Sequence, residues 1–207
     1  MGLSAEQLRT SLDALAQIEP AIAAALTRVG YPEPRIRERG YGTLLRTIVG
    51  QQVSVAAAQS IWNKLEAALG DLDDPATIAR ADAETLRAAG LSRQKASYAV
   101  SLADEVASGR LDLDRLPQDD EEAIAQLVRV KGIGRWSAEI YLLFAEGRGD
   151  IWPAGDLAVQ IEIGRILGHA DRPREKAVRD LAEAWRPHRG AAAILAWHHY
   201  KADMEVI

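Results

Sequence analysis

From Glu121 onward, Ile124, Leu127 and Val128 fall on one helical face while the residues between them are mostly polar or charged. That spacing predicts a helix running to about Val130 and stopping at glycines. A second apolar series, Trp136, Ile140, Leu143 and Phe144, begins at once, so two short helices are joined by Lys131-Gly132-Ile133-Gly134. Helical periodicity recurs along the chain. Thr10 to Val29 reads as one alanine-rich helix, broken by Tyr31-Pro32-Glu33-Pro34. Tyr41 to Leu69 reads as two helices, with Leu44, Leu45, Ile48 and Val49 on the first and Ala57, Ile61, Leu65 and Leu69 on the second, separated by Gly50-Gln51-Gln52-Val53-Ser54. Asp74-Pro75 opens another helix, Asp82 caps the next, and Gly90 ends it before a long helix that starts at Leu91-Ser92-Arg93-Gln94-Lys95 and runs through Val106. Pro117-Gln118-Asp119-Asp120 leads into the hairpin. After Ile151-Trp152-Pro153-Ala154-Gly155-Asp156 comes a helix with Val159, Ile163, Ile166 and Leu167, and the last helical segments run from Arg174 to Trp185 and from Arg189 to about Ala202, divided at Pro187. Strand signals are nearly absent, so the fold class is all-α.

Composition narrows the chemistry. The 207 residues suffice for one substantial core or two small subdomains sharing one. With 48% hydrophobic and 27% charged residues, and no apolar run of transmembrane length, the chain is expected to be a cytoplasmic globular protein with no membrane partner. Met1-Gly2-Leu3-Ser4-Ala5-Glu6 has neither the basic nor the apolar region of a signal peptide. The sequence contains no cysteine, which excludes disulfides, thiol catalysis and cysteine-ligated clusters. A net charge of −5 means that any nucleic-acid surface must be local, because phosphate contacts need cations.

The hairpin offers such a surface. Its glycines permit positive φ and close approach of another backbone, and the amides of Gly132, Gly134 and the opening of the second helix lack intrahelical acceptors at the positive end of a dipole. A phosphate suits that position. Arg129, Lys131 and Arg135 add three positive charges within seven residues. On these residues alone, a plain turn between helices with solvated charges fits as well. Asp156 stands where a helix begins, which suits either an N-cap or a catalytic carboxylate, and the two roles are compatible. Glu139, Asp150 and Glu162 belong to no constellation and read as surface charges. The adjacent pair His198-His199 directs its rings to different faces and does not have metal-ligand spacing.

The run Gly132-Ile133-Gly134-Arg135-Trp136-Ser137-Ala138 after an apolar helix, with an aspartate twenty residues beyond the tryptophan, resembles the helix-hairpin-helix superfamily of DNA base-excision glycosylases, and within it the DNA-3-methyladenine glycosylase II branch. The resemblance spans roughly Tyr41 to Tyr200. It implies two helical subdomains with a DNA-binding cleft between them: residues 42–147, with the helix-hairpin-helix at about 121–146, and residues 1–41 plus 148–207, carrying the catalytic Asp156. It implies DNA contacts from Lys131, Gly132, Ile133, Gly134 and Arg135, and a wedge segment at Gln51 and Gln52, which otherwise cap helices. Trp136, Trp197 and Tyr41 are then walls of a pocket for a flipped base, although packing in the core is the default for each. Trp136 replaces the lysine that in bifunctional relatives attacks the sugar, so a monofunctional glycosylase of alkylated purines is implied. Some relatives have a second aspartate where this chain has Gly155. Relatives hold a monovalent cation in the hairpin, here on the carbonyls of Val128, Val130 and Ile133, and no other cofactor is expected. The expected partner is damaged DNA, bound by a monomer. A non-catalytic helix-hairpin-helix DNA-binding protein, a helical interaction scaffold, and a glycosylase for uracil or oxidised bases are the alternatives.

Overall fold

A computed structural model describes residues 2–204, which contain twelve α-helices, one π-helical turn, one 3-10 turn and no strand. The expectation of an all-α fold holds. The chain divides into two compact units, Met1–Ile36 with Leu142–Ile207 and Arg37–Tyr141.

The Arg37–Tyr141 unit contains α3 (Tyr41–Gly50), α4 (Val55–Leu69), α5 (Pro75–Ala79), α6 (Ala83–Ala88), α7 (Arg93–Ala107), α8 (Asp120–Leu127) and α9 (Arg135–Tyr141). Its starts are written in the sequence: Ser54, Asp74, Asp82, Ser92 and Asp119 each accept a hydrogen bond from a backbone amide two or three residues on. α7 packs on α3, α5 and α6. Leu44, Leu45 and Ile48 of α3, Leu65 of α4, Ile78 of α5, Leu86 of α6 and Leu102 of α7 form the fully buried core. α8 ends at Leu127 rather than near Val130, because Val128 already leaves the helix and Val130 donates to the carbonyl of Leu127 in a turn.

The other unit contains α1 (Ala5–Ile18), α2 (Pro20–Val29), the π turn Leu142–Glu146, α10 (Leu157–Ile166), α11 (Glu175–Leu181), the 3-10 turn Ala182–Trp185 and α12 (Arg189–Met204). The single helix expected from Thr10 to Val29 is two. Proline lacks an N–H, so the chain breaks at Glu19, whose extended backbone and carboxylate cap α2 through the amide of Ala21. α1 also starts earlier than expected, with Ser4 and Gln7 in a reciprocal capping box. The segment expected as one helix from Arg174 to Trp185 likewise divides into α11 and the 3-10 turn. Leu8, Leu12 and Leu15 of α1 face α2 and α12, and Ala191 through Ala196 of α12 are all buried, as befits a helix surrounded by others.

Of three carboxylates expected at the surface, Glu139 and Glu162 lie inside and Asp150 is half-buried. Glu162 is fully buried and accepts from Arg165 at 2.7 Å and pairs with His199 Nδ1 at 2.6 Å. Glu139 is buried and accepts from Arg135 Nε at 2.9 Å. Asp150 bridges Arg186 at 2.6 Å and Arg189 at 2.9 Å. Each has its cation three or more residues away along a helix or across a loop, which a scan for apolar periodicity does not register.

Candidate functional site

In the Arg37–Tyr141 unit the hairpin turn is held from below by α7. Gly132 has φ +85, and a Cβ there would run into the ring of Tyr98, so the glycine is required by both backbone and packing. What approaches closely is an aromatic ring, not the second backbone that the sequence suggested. Gly134 does not take positive φ, and a Cβ there would meet nothing. Its openness leaves room for a phosphate against its amide, and among the described residues the amides of Gly132 and Gly134 have no acceptor. The amide of Lys131 donates to Ser101 Oγ at 3.3 Å, and that of Ile133 to Val130 at 3.1 Å.

The three basic residues of the hairpin are not equivalent. Arg129 and Lys131 are exposed. Arg135 instead holds Glu121 with both terminal nitrogens and Glu139 with Nε. Glu121, then burial opposed by Glu139, leave its guanidinium still harder to deprotonate than an ordinary arginine. Part of its charge is thus answered within the protein by two carboxylates. The carbonyl of Val130 accepts the amide of Ile133, which leaves one lone pair for a weakly demanding ion. A neutral set of main-chain oxygens of this kind suits a monovalent cation. Ile133 and Val130 have buried side chains, while Val128 is exposed.

Beside the hairpin is a cavity of about 820 Å³ lined by Thr43, Arg46, Thr47, Gln51 and Gln52 on one side and Trp136, Ser137 and Ile140 on the other. Trp136 is 47% exposed, unusual for its size. Gln52 has φ +55, a left-handed conformation that non-glycine residues seldom adopt. Gln51 turns the other way and donates Nε2 to the carbonyl of Gly132 at 2.8 Å. Tyr41 does not line this cavity. It is buried in the core of α3 with its hydroxyl unpartnered, and burial, then the charge of Asp74, pushes that hydroxyl's pKa far above the usual value.

In the other unit the chain leading to Asp156 is pinned repeatedly. Gly149 accepts from the amide of Gly190 at 2.8 Å, Asp150 is clamped by Arg186 and Arg189, Trp152 Nε1 donates to Val178 at 3.1 Å, and Ala154 accepts from Gln160 at 2.8 Å. Asp156 then caps α10: its Oδ1 accepts the amide of Val159 at 3.0 Å. The same oxygen accepts Trp197 Nε1 at 3.2 Å. The Trp197 ring packs on Phe144 with centroids 5.6 Å apart, and the guanidinium of Arg35 stands 6.0 Å from it. Asp156 is therefore a half-buried, oriented carboxylate next to an aromatic wall. Gly155 is exposed, and a side chain there would approach the carboxylate of Glu175, with Oε2 3.5 Å from the Cβ. A second aspartate would meet like charge, so Asp156 caps α10 without one.

Sequence reasoning missed Lys95, Tyr98 and Ser101, which support the hairpin and its neighbouring loop. Their three-residue spacing along α7 was legible; what they touch was not. Among the described residues no helix is long and apolar enough to cross a membrane, and no cluster of His, Cys, Asp or Glu could hold a metal ion.

A helical chain with a glycine hairpin between two short helices and an N-capping aspartate downstream defines the helix-hairpin-helix class. The family pattern described as HhH-GPD superfamily base excision DNA repair protein matches residues 45–187, and the chain belongs to that family. It is 32% identical over 167 residues to DNA-3-methyladenine glycosylase 1 of Schizosaccharomyces pombe, covering 78% of this chain and 72% of that protein. A DNA-3-methyladenine glycosidase from Bacillus halodurans superposes with a TM-score of 0.87 at 27% identity, over 94% of this chain and 91% of that one. The Schizosaccharomyces pombe 3-methyladenine DNA glycosylase in complex with abasic DNA gives 0.78 at 29% identity, over 94% and 97%. The chain spans 58%, 79% and 72% of the lengths of three curated relatives.

Proposed function

We propose that this protein is a monofunctional DNA N-glycosylase that flips out alkylated purines, 3-methyladenine and 7-methylguanine, and hydrolyses their glycosidic bonds to leave an abasic site. The observation that carries this reading is the carboxylate of Asp156, fixed by Val159 and by the indole of Trp197. Cleavage of an N-glycosidic bond builds positive charge on the sugar, and a preorganised carboxylate stabilises that charge or orients the attacking water. Alkylation at N3 of adenine or N7 of guanine makes the base cationic, so it leaves neutral and needs no strong general acid. The aromatic face of Trp197, beside Asp156, suits a cationic base, worth about 2 kcal/mol in a dry setting.

Damaged DNA is the proposed partner, in keeping with the abasic-DNA complex of the S. pombe relative. Lys131, Gly132, Ile133 and Gly134 would grip a phosphate, with a monovalent cation on the carbonyls of Val128, Val130 and Ile133 adding charge there. Gln52 would fill the gap left by the extruded base. Since tryptophan has no nucleophilic amine, position 136 cannot form a Schiff base.

Incubation with methylated duplex DNA and chromatography of the released bases tests the reading. Free 3-methyladenine and 7-methylguanine are expected; release of uracil or oxidised bases alone reassigns the substrate, and release of nothing leaves a DNA-binding protein. Borohydride is expected to trap no adduct, and a trapped adduct contradicts the monofunctional assignment.

A further inference from the structure

Gln51 lies beside Gln52 in the loop that follows α3, yet the two side chains do different things. Gln52 is exposed, while Gln51 is half-buried and spends its amide on the carbonyl of Gly132 at 2.8 Å. Three residues of α7 complete the connection. Lys95 Nζ donates to the carbonyl of Val49 at 2.8 Å, at the C-terminal turn of α3 just before the loop. Burial makes this ammonium easier to deprotonate than a free lysine, consistent with its use as a structural donor. Tyr98 fills the space where a side chain at position 132 would be, and Ser101 Oγ accepts the amide of Lys131 at 3.3 Å. One helix thus touches the start of the loop and the hairpin, and Gln51 closes the ring directly between them.

We propose that Gln51 is a positioning residue which, with Lys95, Tyr98 and Ser101 of α7, locks the 50–54 loop to the hairpin at a fixed spacing and does not itself contact DNA. The inference rests on the glycosylase reading only for what the two loops grip. Its physical basis is independent of DNA. The left-handed backbone of Gln52 is unfavourable for glutamine and persists only where its surroundings over-determine it. An anchored neighbour on one side and a capped helix on the other supply that determination, since Ser54 caps α4 through the amide of Ala57 at 3.2 Å. Phosphate grip and gap filling then occur at one register along the strand, which two loops moving separately would not maintain.

Hydrogen exchange of the free, full-length protein, followed by mass spectrometry, tests this before any DNA is added. In Gln51→Ala, exchange in the segment 128–138 is expected to rise about five- to tenfold, the loss of one ordinary hydrogen bond. Exchange in α10 and α12 should not change, and Gln52→Ala should leave segment 128–138 as in the parent protein. Ser101→Ala, which removes a second link to the same turn, should raise exchange in the same segment. Unchanged exchange in Gln51→Ala overturns the proposal, and if that variant also binds abasic duplex DNA more weakly, Gln51 is a direct DNA contact instead. Faster exchange in Gln51→Ala and Ser101→Ala together with undiminished affinity of both for abasic duplex DNA would keep the lock between loops but remove its role in gripping DNA, so the two readings fail separately.

Discussion

Trp197 donates its indole N–H to Asp156 at 3.2 Å, joining the last long helix to the first turn of α10. The bond places an aromatic face and a carboxylate side by side. It also competes with water for the carboxylate oxygen, so that Asp156 keeps one orientation. A hydrogen bond to a charged group contributes about 1.5–3 kcal/mol. Trp197→Phe keeps a ring against Phe144 but removes the donor. Its single-turnover base release is expected to fall about ten- to a hundredfold, while affinity for abasic duplex DNA changes by less than about threefold. Wild-type release would remove the orienting role.

Gly134→Asp separates the phosphate grip from folding. A Cβ at Gly134 meets nothing and the backbone is not left-handed, so the melting temperature is expected to stay within a few degrees of the parent. Placing a carboxylate where a phosphate should sit is expected to weaken DNA binding at least tenfold on any sequence, measured by anisotropy at moderate salt. Equal binding would mean the hairpin is not a phosphate anchor.

Gly132→Ala should do the opposite. Positive φ and the ring of Tyr98 both oppose a side chain there, so this variant is expected to lose more than about 1 kcal/mol of stability, read by urea denaturation. The contrast between two glycines in one turn was not legible from Gly132-Ile133-Gly134, where both looked alike. Most helices were legible, because caps and apolar spacing are local, while the break at Pro20 and the division of 174–185 were not. Asp74, Asp82 and Ser92 announced their helices, and Asp156 its own. Pairing between distant residues was not. Nothing near Trp197 in sequence points to Asp156, forty-one positions away, except the resemblance that suggested both. The involvement of Arg135 with Glu121 and Glu139, and the burial of Tyr41, follow from how helices turn against each other.

Glu162 provides a test of the unit that carries Asp156. Its carboxylate is fully buried, pairing with the buried His199 and with the exposed Arg165, and Glu162→Ala removes both contacts at once. Breaking a buried pair from one side costs about 3–5 kcal/mol, so a large drop in thermal stability is expected, with Glu162→Gln falling less because it retains a hydrogen-bond acceptor. A loss below about 1 kcal/mol for the alanine variant would mean that the pair is open to water in solution.

The charge on Asp156 is the centre of the account, and Asp156→Asn isolates it. Asparagine is as good an N-cap as aspartate and still offers an oxygen to Val159 and Trp197, so fold and DNA affinity should persist. Single-turnover release of 3-methyladenine from methylated duplex DNA is the measurement. A fall of at least about a hundredfold, with abasic-DNA binding retained, is the expected result. Release at the parent rate would contradict a carboxylate mechanism at this position.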